Sequence, residues 1–221
     1  KNIDNSNPTE NADIRYSLSE DSEGHTLSKE QKEYFKGSKV VDDKGSLKVV
    51  YHGSTADFNT FSLKYLGTNG TNEGYGFYFT DKKDIAQGYA NGTEAQRHQG
   101  ANGKLFEVYL DIKKPLSDTE VTMSRSEFKK FLKELNTKVD EDGEPLEALS
   151  NYGDVSWEGL DTVIKRVMEV EYDGSDSDVN MIHSIINGTG NMEVVFDTLR
   201  KTTGYDGIIV RDAEWGGDQT I

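Results

Sequence analysis

The stretch GYGFYFTDKKDIAQGYA, Gly74 to Ala90, changes pattern in its middle. Its first half is an aromatic run, GFYF, of the residue types that favour strands. Its second half carries Ile85, Ala86 and Tyr89 at the spacing of one helix face. Asp81 stands between them, where its carboxylate can cap the helix start. A strand that runs straight into a helix, with Tyr78 on the first and Tyr89 on the second, has two readings. Both rings fill a core, or the two hold a flat ring between them.

Upstream, SKVVDDKGSLKVVYHGS reads as two strands joined by a turn at Asp43–Gly45. Downstream, KLFEVYLDI from Lys104 alternates apolar and polar residues for part of its length, as a half-buried strand does. The pattern then becomes helical. SKEQ at Ser28 and SRSE at Ser124 are capping boxes, Ser at the N-cap and Gln or Glu three residues on. The first opens a short helix to about Lys36. Behind the second, Phe128, Phe131, Leu132 and Leu135 form an apolar stripe. Three more stripes follow: Leu160, Val163, Ile164, Val167 and Met168; Val179, Ile182, Ile185 and Ile186; Met192, Val195, Phe196 and Leu199. YDGIIVRD returns to strand, and GGDQTI reads as the first residues of another. Strands, then helices, then strands argue an α+β fold.

Composition narrows the function. The 221 residues suit one domain with a tail, and the mean hydropathy of −0.74 fits a chain that is partly solvated. Residues 1–26 are polar and aperiodic and read as a disordered tail or linker, with residues 27–221 as the folded domain. The chain starts without Met and reads as cut from a longer protein. No apolar run approaches the length of a membrane span. A net charge of −15 repels phosphate backbones, so nucleic acid is a poor partner. With no cysteine there is no disulfide, thiolate nucleophile or Cys-ligated zinc.

Motifs exclude more. The acidic loops at Asp140 and Asp173 lack calcium-loop spacing. His52, His98 and His183 lack zinc spacing, so no metal is expected. Gly67, Gly70, Gly74 and Gly76 form no P-loop and no dinucleotide fingerprint. The Asn-Gly-Thr triplets at Asn69, Asn91 and Asn187 read as turns rather than glycosylation acceptors. What remains is a combination: a strand ending His52-Gly53-Ser54, then Gly-x-Gly-aromatic-Tyr78, then a helix ending Gly-Tyr89-Ala.

That combination resembles the ADP-ribosyltransferases, specifically the His-Tyr-Glu branch of poly(ADP-ribose) polymerases and diphtheria toxin. YHGS is similar to that branch's first motif and GYGFYFTDKKDIAQGYA to its second. The flanks ENADIRYSLSED, EYFKGSKVVDDKGSLKVVYHGS and TGYDGIIV resemble a subgroup found in phage head-morphogenesis and polyvalent proteins. The helical stretch at about 120–200 carries no motif of the family and reads as an insertion.

The resemblance implies a split β-sandwich with an inserted helical lobe, and NAD as co-substrate. It implies that His52 holds the adenosine-side ribose, that Gly53 pairs its backbone with the nicotinamide carboxamide, and that Ser54 adds a hydroxyl. Tyr78 and Tyr89 would sandwich the nicotinamide ring. The catalytic set would be His52, Tyr78 and the residue in the family's Glu position, which the favoured register makes Gln219, with Glu214 and Asp218 as neighbours that could substitute. Ala86 also departs from the family, whose polymerases carry Ser there. The expected activity is transfer of one ADP-ribose to a host macromolecule, in a bacterial cytoplasm or on a virion. Two alternatives stand beside it: a catalytically weak NAD-binding module of a larger phage or mobile-element protein, and a domain that has kept the fold and lost the ligand.

Overall fold

A computed structural model describes residues 19–62, 64, 75–92, 103–140, 142–172, 177–211 and 219–220. The chain divides into two compact units, Lys1–Thr60 with Phe79–Lys113, and Phe61–Tyr78 with Lys114–Ile221.

The first unit holds helix α1 (Lys29–Tyr34), strands β1 (Val50–Ser54) and β2 (Phe79–Thr80), helix α2 (Lys83–Ala90) and strand β3 (Lys104–Val108). β1 is central and antiparallel to both neighbours, pairing Tyr51 with Thr80 on one side and running from Val50–Val108 to Ser54–Lys104 on the other. α2 packs on one face of this sheet, where Val49, Tyr51 and Ala86 are buried against Leu105 and Tyr109.

Local chemistry sets several of these boundaries. The Ser28 box forms in full, with Gln31 N–H donating to Ser28 Oγ and Ser28 N–H to Gln31 Oε1. The turn at Asp43–Gly45 also forms. Asp42 accepts the amides of Lys44 and Ser46, and Gly45 takes φ +81°. Its arms meet through a bridge between Val41 and Leu47, so the first expected strand is reduced to that contact.

Two expectations around Tyr78 are corrected. The strand covers only Phe79 and Thr80 of YGFYFT. Asp81 does not cap α2: the N-cap is Lys82, which has no side-chain cap bond, and Asp81 faces Lys48 Nζ at 3.4 Å instead. The nearby Lys82 amide is satisfied by Thr80 Oγ1 at 3.1 Å.

The second unit holds β4 (Pro115–Ser117), α3 (Arg125–Leu135), α4 (Val155–Glu158), α5 (Leu160–Val170), α6 (Asp178–Thr189), α7 (Met192–Thr203), β5 (Gly207–Val210) and β6 (Gln219–Thr220). β5 lies parallel to β4 and antiparallel to β6. The helices are the crossover between the parallel pair, as that pairing requires. The stripes read from the sequence make the core, with Phe128, Phe131, Leu132, Leu135, Val163, Val167, Ile182, Ile185 and Val195 fully buried together.

One buried carboxylate fixes how the insertion begins. Asp178, in the first turn of α6, accepts the amides of Ser117, Thr122 and Met123 and the hydroxyl of Thr122. Asn187-Gly188, expected as a turn, lies inside α6, and Gly188 leaves room there for Asn151, whose Nδ2 would sit 3.1 Å from a Cβ. Asn91-Gly92 does form a turn, with Gly92 at φ +73°, whereas Asn69 falls outside the described residues.

Candidate active site

Side chains alternate along β1, so His52 and Gly53 serve opposite faces. His52 stands opposite Phe106 of β3. Its ring lies among three others, with centroids 5.5 Å from Phe79, 6.0 Å from Phe106 and 6.3 Å from Phe58. Phe58 stacks on Phe106 at 4.5 Å. Phe58 belongs to the loop after β1, and Lys104 pins that loop. Its Nζ donates to the Phe58 carbonyl and to Asn59 Oδ1, each at 2.8 Å, and lies 3.6 Å from Asp57. The imidazole is thereby held half-buried in an aromatic wall at the middle of β1.

Gly53 faces α2. A Cβ built there would lie 1.7 Å from the carbonyl oxygen of Ala86 and 2.8 Å from the amide nitrogen of Ala90. The absent side chain is used by the helix, which lies directly on the strand. Gly53 does not have a left-handed φ, so the requirement is for space and not for conformation.

This approach sets where Tyr89 sits. Tyr89 is the residue before Ala90, so its peptide lies against Gly53. Ala86 and Ala90 take the buried face of α2, and Tyr89 keeps 48% of its surface exposed. A large aromatic ring that packing leaves half-open, one residue from the strand contact, is free to stack on a flat partner. Ser54 Oγ accepts the Ala56 amide at 3.2 Å and shapes the turn leaving β1. His52, Gly53, Ser54 and Tyr89 therefore share one unit, with Gly53 making the strand–helix contact.

Tyr78 and Gln219 belong to the other unit. Tyr78 is half-buried and directly precedes β2, outside the strand. The nearby Tyr75 bonds Glu193 of α7; burial first, then this carboxylate, raises its pKa. Gln219 stands in β6 opposite Val210 of β5. Glu214 and Asp218 fall outside the described residues.

The structure also shows a cluster that sequence reasoning missed. The sequence places the tail at residues 1–26, yet residues 19–27 form a docked turn. Glu20 bridges Thr26, Ser22 N–H donates to the Leu47 carbonyl, and Val49 N–H donates to Ser22 Oγ. Asp21, 4% exposed, is the hub. It accepts the amides of Glu23 and His25, bonds His25 Nδ1 at 2.9 Å, and accepts the Tyr109 hydroxyl at 2.6 Å. Tyr51, beside His52, donates its hydroxyl to Glu23. Burial first, then these carboxylates, pushes Tyr51 and Tyr109 far above the usual phenol range. The Asp21 bond raises His25. Glu23, His25 and Glu107 gather possible ligand atoms within 4.8 Å, but all three are exposed and Glu107 already faces Lys83 Nζ at 3.2 Å. The group reads as an electrostatic tie that fastens the turn to β1 and β3.

Over residues 42–220 the chain matches the family model described as ADP-ribosyltransferase in polyvalent proteins. No curated protein and no solved structure gives a match.

Proposed function

The chain belongs to the family of ADP-ribosyltransferases in polyvalent proteins, and we propose that it releases nicotinamide from NAD and transfers a single ADP-ribose to a macromolecular acceptor, with a host protein as the acceptor class. The observation that carries this reading is the seat of Tyr89. A half-exposed tyrosine is held by a helix lying directly on the His52-Gly53-Ser54 strand end.

In this reading the chain follows the His-Tyr-Glu branch and its split β-sandwich. His52 bonds the adenosine-side ribose, and the Gly53 backbone meets the carboxamide, with Ser54 near it. Tyr78 and Tyr89 take the two faces of the nicotinamide. Stacking contributes about 1–3 kcal/mol per ring face, judged from bases on aromatic platforms. The bond from ribose C1 to the nicotinamide nitrogen breaks and its electron pair leaves with neutral nicotinamide. The oxocarbenium-like carbon is then taken by an acceptor nucleophile, which gives up its proton. A carboxylate near the 2′-hydroxyl would stabilise that cation, and Gln219 offers an amide instead.

Gln219 is also the observation that favours the second reading, a weak or inactive NAD-binding module of a larger phage or mobile-element protein. Titration calorimetry with NAD and nicotinamide, followed by transfer of labelled ADP-ribose into a cell lysate, separates the two. Binding with transfer supports the first reading, and binding without transfer supports the second. No heat and no thermal shift at millimolar NAD would remove both.

A further inference from the structure

Gly103, which precedes β3 and belongs to no motif read from the sequence, sits at a junction nearly as tight as that at Gly53. A Cβ there would lie 2.2 Å from the Ala90 carbonyl oxygen, 2.2 Å from the Ser54 carbonyl oxygen and 2.8 Å from Thr55 Cα. All three are backbone atoms, so no rotamer change makes room. Gly103 has no left-handed φ, so glycine is not there to make a turn. It is there because the last turn of α2 and the end of β1 meet over its Cα. With Gly53 beneath Ala86 and Ala90, it forms a two-glycine seat, one glycine in β1 and one at the entry to β3, for the turn that carries Tyr89.

We propose that Gly103 is a positioning residue for the nicotinamide half of the site, fixing how far the Tyr89 ring stands from the Gly53-Ser54 strand end. The proposal rests on the reading of Tyr89 as a nicotinamide-stacking residue. The physical argument is one of leverage. A methyl group at 2.2 Å from two carbonyl oxygens is far inside van der Waals contact, so Ala90 and Ser54 must move apart. Tyr89 is covalently next to Ala90 and moves with it. A stacked ring tolerates little of this, because dispersion contact falls off within about 1 Å of extra separation. His52 lies on the face of β1 away from α2, where Phe106 and the other aromatic rings hold it. The ribose end of the ligand is therefore spared.

The test compares two ligands. Nicotinamide reports the Tyr89 side, and ADP-ribose reports the His52 side without a nicotinamide ring. Wild type, Gly103→Ala, Tyr89→Ala and the double variant are titrated with each. Gly103→Ala is expected to weaken nicotinamide by about tenfold, a change of about 1.4 kcal/mol, and to leave ADP-ribose within about twofold. In the Tyr89→Ala background the same change should add nothing, because the ring it displaces is gone. Equal losses for both ligands would mean that Gly103 serves only the fold, and an additive loss in the double variant would overturn the proposal as well. If Gly103→Ala does not fold, Ala90→Val decides in its place. It adds bulk to the same buried turn, and its nicotinamide loss must again depend on Tyr89. A wild type that binds neither ligand removes the NAD reading and this inference together. A wild type whose nicotinamide binding needs Tyr89 but ignores both Gly103→Ala and Ala90→Val removes this inference alone.

Discussion

Tyr89 and His52 can be separated by what each would cost the fold. Tyr89 is half-exposed and contributes little to the core. Tyr89→Ala is expected to weaken nicotinamide by about 1–3 kcal/mol, the stacking range, with the thermal midpoint within a few degrees of wild type. Parallel calorimetry and thermal melts check this, and a large drop in midpoint would return Tyr89 to the core. His52 is different, because three phenylalanine rings surround it. His52→Ala is expected to lower stability and also to weaken NAD more than nicotinamide, if the ribose takes the proposed place beside it. Equal loss of both ligands would contradict that placement. The two residues were legible in the sequence as a motif, but the reason for Gly53 was not. Its requirement comes from Ala86 and Ala90, more than thirty positions away, and no local pattern announces a helix carbonyl 1.7 Å from a Cβ that is not there.

At the level of elements, periodicity and capping chemistry carried far. Both capping boxes, the four helical stripes and the late strands β5 and β6 stand where the patterns put them. The docked turn at 19–27 was illegible because polar side chains bonded across long stretches of sequence hold it, and these leave no apolar period. Removing residues up to Glu20–Thr26 strands the hydroxyls of Tyr109 and Tyr51 and the Val49 amide, at about 1–3 kcal/mol for each group that stays buried. A chain starting at Leu27 is thus expected to unfold at lower urea, and an unchanged midpoint would restore the tail reading. The α3 box yields a pH prediction. The bond from Lys114, first, and those from Ser124 lower the Glu127 pKa from 4.5 to about 2. A depressed carboxylate stabilises the fold above its unfolded pKa and loses that contribution as pH falls toward the folded value. Glu127→Gln should therefore be less stable than wild type at neutral pH, with the gap closing between pH 4.5 and about 2. A gap that is constant with pH would mean the charge plays no part.

For the whole molecule the open chemical question is whether an acidic chain turns NAD over at all if, as proposed, Gln219 stands in the position of the family's Glu. The net charge of −15 does not supply the missing group, because diffuse surface charge is screened within about 8–10 Å at physiological salt, whereas an oxocarbenium centre needs an anion at contact. An amide can bond the 2′-hydroxyl and orient the ribose but cannot offset a full developing charge. One such electrostatic interaction in a catalytic site is worth about 2.7–4 kcal/mol, or roughly 10²–10³ in rate. The natural protein is therefore expected to bind NAD and release nicotinamide slowly. Gln219→Glu is expected to raise turnover by about that factor with little change in NAD affinity, because the gain is confined to the transition state. The proposed register gives the role to Gln219 and makes Asp218 the alternative. Measuring nicotinamide release for Gln219→Glu and Asp218→Asn assigns it. A faster Gln219→Glu with a neutral Asp218→Asn fits the pairing of Gln219 with Val210 in β6. A silent Gln219→Glu with a dead Asp218→Asn moves the catalytic carboxylate to Asp218. If neither variant changes a turnover that is itself undetectable, the chain is an NAD-binding module.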